Sequence, residues 1–267
     1  MPLPPIIYGT AWKQDATAAL AKKAAAAGYR AFDTANQKKH YREDYLGEAL
    51  PQLGIPRESL FLQSKYTSQD GQDHRLPYDP ADPVGAQVRS SFAGSLKNLG
   101  TTYLDSFLVH GPSSPAGYTD EDWEIWSEME SLHEPGRARM IGVSNVRLQH
   151  LLDLAKAKVK PMVVQNRCYA VRGWDQEVRE HCLENGITYQ GFSLLTANPQ
   201  VVAHRRVEAL AKARAATPAQ IVFAFAKAIG ILPLTGTTDV RHMKDDLEAL
   251  ALELSADEVA DIRRITQ

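Results

Sequence analysis

Residues Gly28–Tyr41 read GYRAFDTANQKKHY. A short apolar run through Tyr29, Ala31 and Phe32 ends on an acid, Asp33, and a small polar segment leads to Tyr41. A carboxylate at the end of a buried strand is costly unless it meets a cation or a hydrogen-bond donor. Two more apolar runs end in the same way: LFLQSKY reaches Lys65, and YLDSFLVHG reaches His110. An acid, an amine, an imidazole and a phenol at or just past strand ends are what a (β/α)8 barrel delivers to one mouth.

Outward from this stretch the chain alternates between strand and helix patterns. The spacing predicts strands at Pro5–Gly9, up to Asp33, Leu60–Lys65, Tyr103–His110, Met140–Val143, Met162–Gln165, Ile187–Phe192 and Ile231–Leu234. Helical periodicity fills the intervals, including Asp15–Ala27 with Asp15 as its cap, Arg42–Leu53, Val84–Leu99, Asp120–His133 and Val201–Arg214. Thr217-Pro218 is a cap followed by proline at the first helical position, and Ser255–Glu258 is a capping box opening a last helix. Eight strands alternating with helices make an α/β chain, a (β/α)8 TIM barrel, in one domain over 1–267. An open doubly wound sheet is the alternative, but Gly9-Thr10-Ala11-Trp12 is not the glycine fingerprint it expects.

Composition narrows the function classes. The formal net charge of −2 leaves no basic field for nucleic acid or an anionic membrane. No apolar run approaches a membrane span, and MPLPPIIYGT lacks the features of a signal peptide. Cys168 and Cys182 form no disulfide framework, so a reducing, cytoplasmic setting is expected. The eight histidines show no HExxH or Cys/His spacing of a metal site.

The quoted motifs resemble those of the aldo-keto reductase family. GYRAFDTA matches GYRxxDTA, Ser64-Lys65 matches SK after a strand, YLDSFLVH matches YLDLxLIH, and Gly142–Asn145 is the family's GVSN. The resemblance runs from Tyr8-Gly9-Thr10 to Leu247. It implies reduction of a small aldehyde or ketone, with Asp33, Tyr41, Lys65 and His110 as the catalytic set. A bare phenol of pKa about 10 is a poor proton donor, and a nearby ammonium lowers that pKa. The family's tyrosine stands five residues after the acid, where this chain has Lys38. Asp33 to Gly47 is longer by two residues than usual, so a loop insertion makes Tyr41 the phenol; the competing view has Lys38 in its place and activity changed or lost.

The same resemblance implies a nicotinamide cofactor, NADP(H) in preference to NAD(H). Its expected contacts are Gly9 and Thr10 after the first strand, and Ser144, Asn145 and Gln165 at the carboxamide. Phe192 stands where an aromatic stacks on the nicotinamide, and Ser193 and Leu195 replace part of the family's SPL. Gly236, Thr237 and Thr238 begin the adenosine-phosphate site, with Arg241 and His242 as sources of positive charge. Trp12, Tyr66, Trp174 and the loop 69–80 are candidate pocket walls. A small-molecule carbonyl substrate and a monomer or weak oligomer are expected, with no nucleic-acid or membrane partner. Two other readings stand beside this one: a Schiff-base aldolase using Lys65, and a cofactor-binding regulatory subunit with weak or no turnover.

Overall fold

A computed structural model describes residues 3–133 and 136–266. Eight parallel strands close on themselves in sequence order. They are β1 (Ile7–Gly9), β2 (Ala31–Asp33), β3 (Phe61–Tyr66), β4 (Ser106–Val109), β5 (Ile141–Ser144), β6 (Val163–Arg167), β7 (Thr188–Phe192) and β8 (Leu232–Thr235). Closure is made by β8 on β1, with Leu234 beside Ile7 and Thr235 beside Tyr8. The intervals carry α1 (Thr17–Ala27), α2 (Glu43–Ala49), α3 (Val84–Leu99), α4 (Asp120–His133), α5 (Leu148–Leu154) and α6 (Gln176–Glu184). Between β7 and β8 lie α7 (Pro199–Val202), α8 (Arg205–Ala213) and α9 (Pro218–Ala228). After β8 come α10 (Val240–Glu248) and α11 (Ala256–Arg263). The architecture is the (β/α)8 barrel that the alternation predicts.

The strands sort their side chains by depth. At the amino end of the barrel, Ile7, Ala31 and Phe61 form an apolar plug, closed by Met140, Leu232 and Leu234. Towards the carboxyl end, the buried residues Asp33, Gln63, Lys65, Gln165 and Gln190 are polar. Outside the barrel, a much larger apolar shell lies between strands and helices, with Phe92 on Phe107 and Trp174 on Phe225, each pair 4.9 Å between ring centroids. The helices close on this shell at narrow points: a Cβ on Gly47 of α2 would lie 1.7 Å from the Asn98 carbonyl oxygen of α3, so only glycine fits there. Cys168 and Cys182 are free and buried, their thiols pushed up to about 12 by burial.

Local signals mostly act as read. Thr217 and Ser255 each cap their helix in a reciprocal box with Gln220 and Glu258. Two expectations are corrected. Asp15 does not cap α1: it lies in a 3-10 turn, Gln14–Ala16, and pairs instead with Arg42 at 3.2 Å. The run Val201–Arg214 is two helices, because His204 takes an extended conformation and its side chain accepts the Arg206 amide, restarting the helix. Among the described residues, no helix is long and apolar enough to cross a membrane.

Candidate active site

The carboxyl ends of the strands open into a cavity of about 1210 Å³. Its floor is a buried ion pair. Lys65 Nζ donates to both carboxylate oxygens of Asp33 at 2.7 Å and to the Thr34 carbonyl at 2.9 Å. Asp33 Oδ1 also accepts from Gln63 Nε2 at 2.7 Å and Gln165 Nε2 at 3.0 Å. Gln190 completes this layer, accepting from both of those amides and donating to Gln63 Oε1 at 3.0 Å. A charge pair out of water is stable only when its remaining hydrogen-bonding capacity is met, and these amides meet it. Burial lowers the Lys65 pKa, and the Asp33 charge and hydrogen bonds oppose that shift.

Tyr41 stands over this pair. Its ring centroid is 5.3 Å from Lys65 Nζ, and it meets the His110 ring edge to face at 5.9 Å. Tyr41, Asp33 and His110 all line the cavity. Lys38 is exposed and does not line it. Tyr45 stacks under the Arg42 guanidinium at 3.4 Å and does not line the cavity. The phenol's pKa is raised, by burial first and then by the Asp33 carboxylate. That direction corrects the expectation that Lys65 leaves it lowered: at this depth, loss of water outweighs the ammonium. The consequence is a tyrosine that holds its proton across the neutral range.

His110 is also kept neutral. Burial first, then Lys65 and His40, push its pKa down to about 3. Its Nδ1 lies 2.7 Å from Thr67 Oγ1. With the threonine hydroxyl donating, the ring proton sits on Nε2. Beside it, Trp12 packs over the His40 ring at 3.7 Å between centroids and forms part of the cavity wall. Tyr66 and Trp174, the other proposed walls, are fully buried and belong to the apolar shell. From the loop 69–80, Gln69, Asp70 and Gly71 line a neighbouring recess that shares His110 with the cavity.

The later strands bring most of the remaining expected residues to the same cavity. Gly9, Ser144, Asn145, Gln165, Phe192, Ser193, Leu195, Gly236, Thr237, Arg241 and His242 line it. Two do not. Thr10 is buried, with its hydroxyl on the Asp33 carbonyl at 2.9 Å, and Thr238 faces solvent outside the lining. Several groups are already engaged with protein: Ser144 Oγ donates to the Gln165 carbonyl at 2.7 Å, and Asn145 Nδ2 to the His110 carbonyl at 2.8 Å. Both donors of the Gln165 amide are spent on Asp33 and Gln190, which leaves its oxygen as the group available to a ligand. Arg167 lies over the Phe192 ring at 5.6 Å. At the far end, Lys13 Nζ donates to the Gly236 carbonyl and Tyr8 Oη to the Thr237 carbonyl.

The residues missed in the sequence are Gln63, Gln190, Thr67 and Lys13. Gln63 and Gln190 carried a usable signal, since each stands two residues before a named residue, Lys65 and Phe192, and strand side chains alternate with period two. Among the described residues no group of three or more His, Cys, Asp or Glu is placed to hold a metal ion.

Comparison with known proteins agrees with the geometry. The (1S)-1,7-diacetoxy-luvungin A aldo-keto reductase of Citrus sinensis is 34% identical over 264 residues, covering 90% of this chain and 78% of that protein. The NADPH-dependent alpha-keto amide reductase of Saccharomyces cerevisiae is 28% identical over 245 residues, covering 87% and 73%. The crystal structure of an aldo-keto reductase from a Medee basin deep-sea metagenome library superposes with a TM-score of 0.86 at 24% identity, covering 99% and 92%. The family model for the aldo/keto reductase family matches residues 5–267, and the chain belongs to that family.

Proposed function

We propose that this protein reduces the carbonyl group of a small aldehyde or ketone with a reduced nicotinamide dinucleotide. The observation that carries the reading is the meeting of the Asp33–Lys65 pair, Tyr41 and His110 at one wall of the cavity. When bound, the dinucleotide supplies a hydride to the carbonyl carbon. The chain's own part is to hold the carbonyl and deliver a proton to its oxygen. Neutral His110 offers Nε2–H to that oxygen and fixes its direction. Tyr41, protonated at working pH, donates its proton as negative charge develops there. Lys65 stabilises the phenolate left behind, and Asp33 keeps the ammonium charged and aimed.

The lining fits the cofactor's parts. Ser144, Asn145 and the free oxygen of Gln165 suit a carboxamide, and Phe192 offers a ring for stacking. Ser193 and Leu195 present the β7 loop to the pyrophosphate. NADP(H), favoured by the sequence through Arg241 and His242, and NAD(H) share all these contacts and differ only at the adenosine ribose. The test is the loss of reduced-nicotinamide absorbance when a simple aromatic aldehyde is added to the protein with either cofactor. Turnover that disappears with Tyr41→Phe supports the reading. Tight cofactor binding without turnover favours the regulatory-subunit alternative, and trapping of Lys65 by borohydride with a keto compound favours the aldolase.

A further inference from the structure

The inference concerns what the substrate carries besides its carbonyl, and it rests on the reductase reading above. A recess of about 560 Å³ adjoins the cavity and shares His110 with it. Thr67, whose hydroxyl meets His110 Nδ1, lines the recess as well. A molecule whose carbonyl sits at His110 therefore has this recess as its neighbour.

The recess presents hydrogen-bond acceptors that nothing in the protein fills. Gln37 and Gln87 line it and are only 6% and 4% exposed. Gln37 Nε2 donates to the Gly71 carbonyl at 2.6 Å. Gln87 Nε2 donates to the Asp82 carbonyl at 2.8 Å and the Pro80 carbonyl at 3.4 Å. Those carbonyls can only accept, so they fix which end of each amide is nitrogen. Both amide oxygens are left over. Gln37 Oε1 is buried with no hydrogen-bond partner, and Gln87 Oε1 has none among the described residues. A buried acceptor without a donor is costly, and it marks a place where a donor is missing.

Asp70, in the 3-10 turn Gln69–Gly71, and Glu121, in the first turn of α4, add two carboxylates to the same lining. Neither has an ion pair among the described residues. No lysine or arginine lines the recess, and His110 is neutral. An anion is repelled here. A hydroxyl satisfies an amide oxygen but leaves the carboxylates unmatched. An ammonium brings three N–H donors and the opposing charge together. We propose that this recess receives a protonated amine on the substrate, so that the chain selects amine-bearing aldehydes or ketones over neutral and anionic ones.

The test is steady-state reduction, at low salt because exposed charges are screened. Three aldehydes of one shape are compared: para-aminomethyl-, para-hydroxymethyl- and para-carboxybenzaldehyde. The expected kcat/KM for the amine is at least about tenfold above that for the alcohol, with the acid poorest. The difference should lie in KM, because the amine is held alike before and during reaction. The informative variant is the double Asp70→Asn, Glu121→Gln, which removes both charges at exposed positions; thermal melts confirm that it folds. In it the amine should lose its advantage to within about threefold, while kcat for the alcohol stays within about twofold. An amine advantage below about tenfold, or one that the double variant leaves intact, overturns the inference and leaves the reductase reading standing. Turnover of none of the three aldehydes overturns both.

Discussion

The two ends of the cavity are built by opposite means. At β2–β4 the polar groups are buried and bonded to one another: Lys65 is spent on Asp33 and Thr34, and Asp33 on Lys65, Gln63 and Gln165. At β8–α10 the charged groups Asp239, Arg241 and His242 are exposed, and the fixed features are backbone amides and carbonyls. A buried network couples its members, so a change in one is felt by all. An exposed helix start couples weakly, and changes there shift affinity by a factor without threatening the fold. Substitutions at the first end should thus move both rate and stability, while those at the second move binding alone.

The largest expected effect follows from breaking the ion pair. Lys65→Met leaves Asp33 charged and buried with only amide donors, which typically costs about 3–5 kcal/mol. In the proposed mechanism it also strips the phenolate of its neighbouring charge, so kcat should fall at least about a hundredfold. Urea unfolding and steady-state kinetics on one preparation check both. If stability holds while rate falls, the pair is less tightly coupled than its geometry states. Next comes Tyr41→Phe, which removes the proposed proton donor but no buried charge. Its kcat should drop by about 10²–10⁴-fold, with cofactor Kd within about twofold and little loss of stability. A variant that retains most of its rate removes Tyr41 from the role.

His110 gives a smaller and pH-dependent effect. Its folded pKa, about 3, lies below the unfolded value of about 6.5. Between those values the unfolded chain binds a proton that the folded chain refuses, so stability falls as pH drops through that window. The limiting slope is about 1.4 kcal/mol per pH unit. Urea midpoints at pH 7 and pH 5 should show a loss of about 1–2 kcal/mol that His110→Gln largely abolishes. The difference between the two proteins isolates His110 from His40, whose pKa burial also lowers. Equal acid sensitivity in both would mean that His110 is protonated inside the fold.

The contrast between the ends also explains what the sequence disclosed. Asp33, Lys65 and His110 are legible because each interrupts an apolar run at its carboxyl end, a place where burial demands a partner. Gln63 and Gln190 sit inside their runs, where a single amide reads as one polar step in an alternating strand. Their role exists only because barrel closure brings β3 and β7 face to face across the interior. Thr10 and Thr238 were placed by motif position, yet direction at a strand end changes with a single residue, and Gly9 and Thr237 face the cavity instead.

The smallest expected effect marks where the tightly bonded end stops. Lys38 stands five residues after Asp33, the place where family resemblance puts a tyrosine, and Tyr41 stands eight after. The chain turns between them: Gln37 is buried, Lys38 and Lys39 are exposed, and the Tyr41 amide returns to the Gln37 carbonyl at 3.0 Å. Lys38 and Lys39 thus lie on a surface turn, and the Tyr41 ring comes back over Lys65 at 5.3 Å. The Lys38 backbone carbonyl receives Arg75 Nη2 at 2.9 Å. Alanine keeps that carbonyl, and exposed substitutions away from special features usually change stability by no more than about 0.5 kcal/mol. Lys38→Ala should therefore leave kcat within about twofold and the melting temperature nearly unchanged, in the assay where Tyr41→Phe is close to inactive. The pair of variants separates burial from sequence position as the property that selects the proton donor. A dead Lys38→Ala beside an active Tyr41→Phe would place the chemistry on the exposed turn and break the division between the two ends.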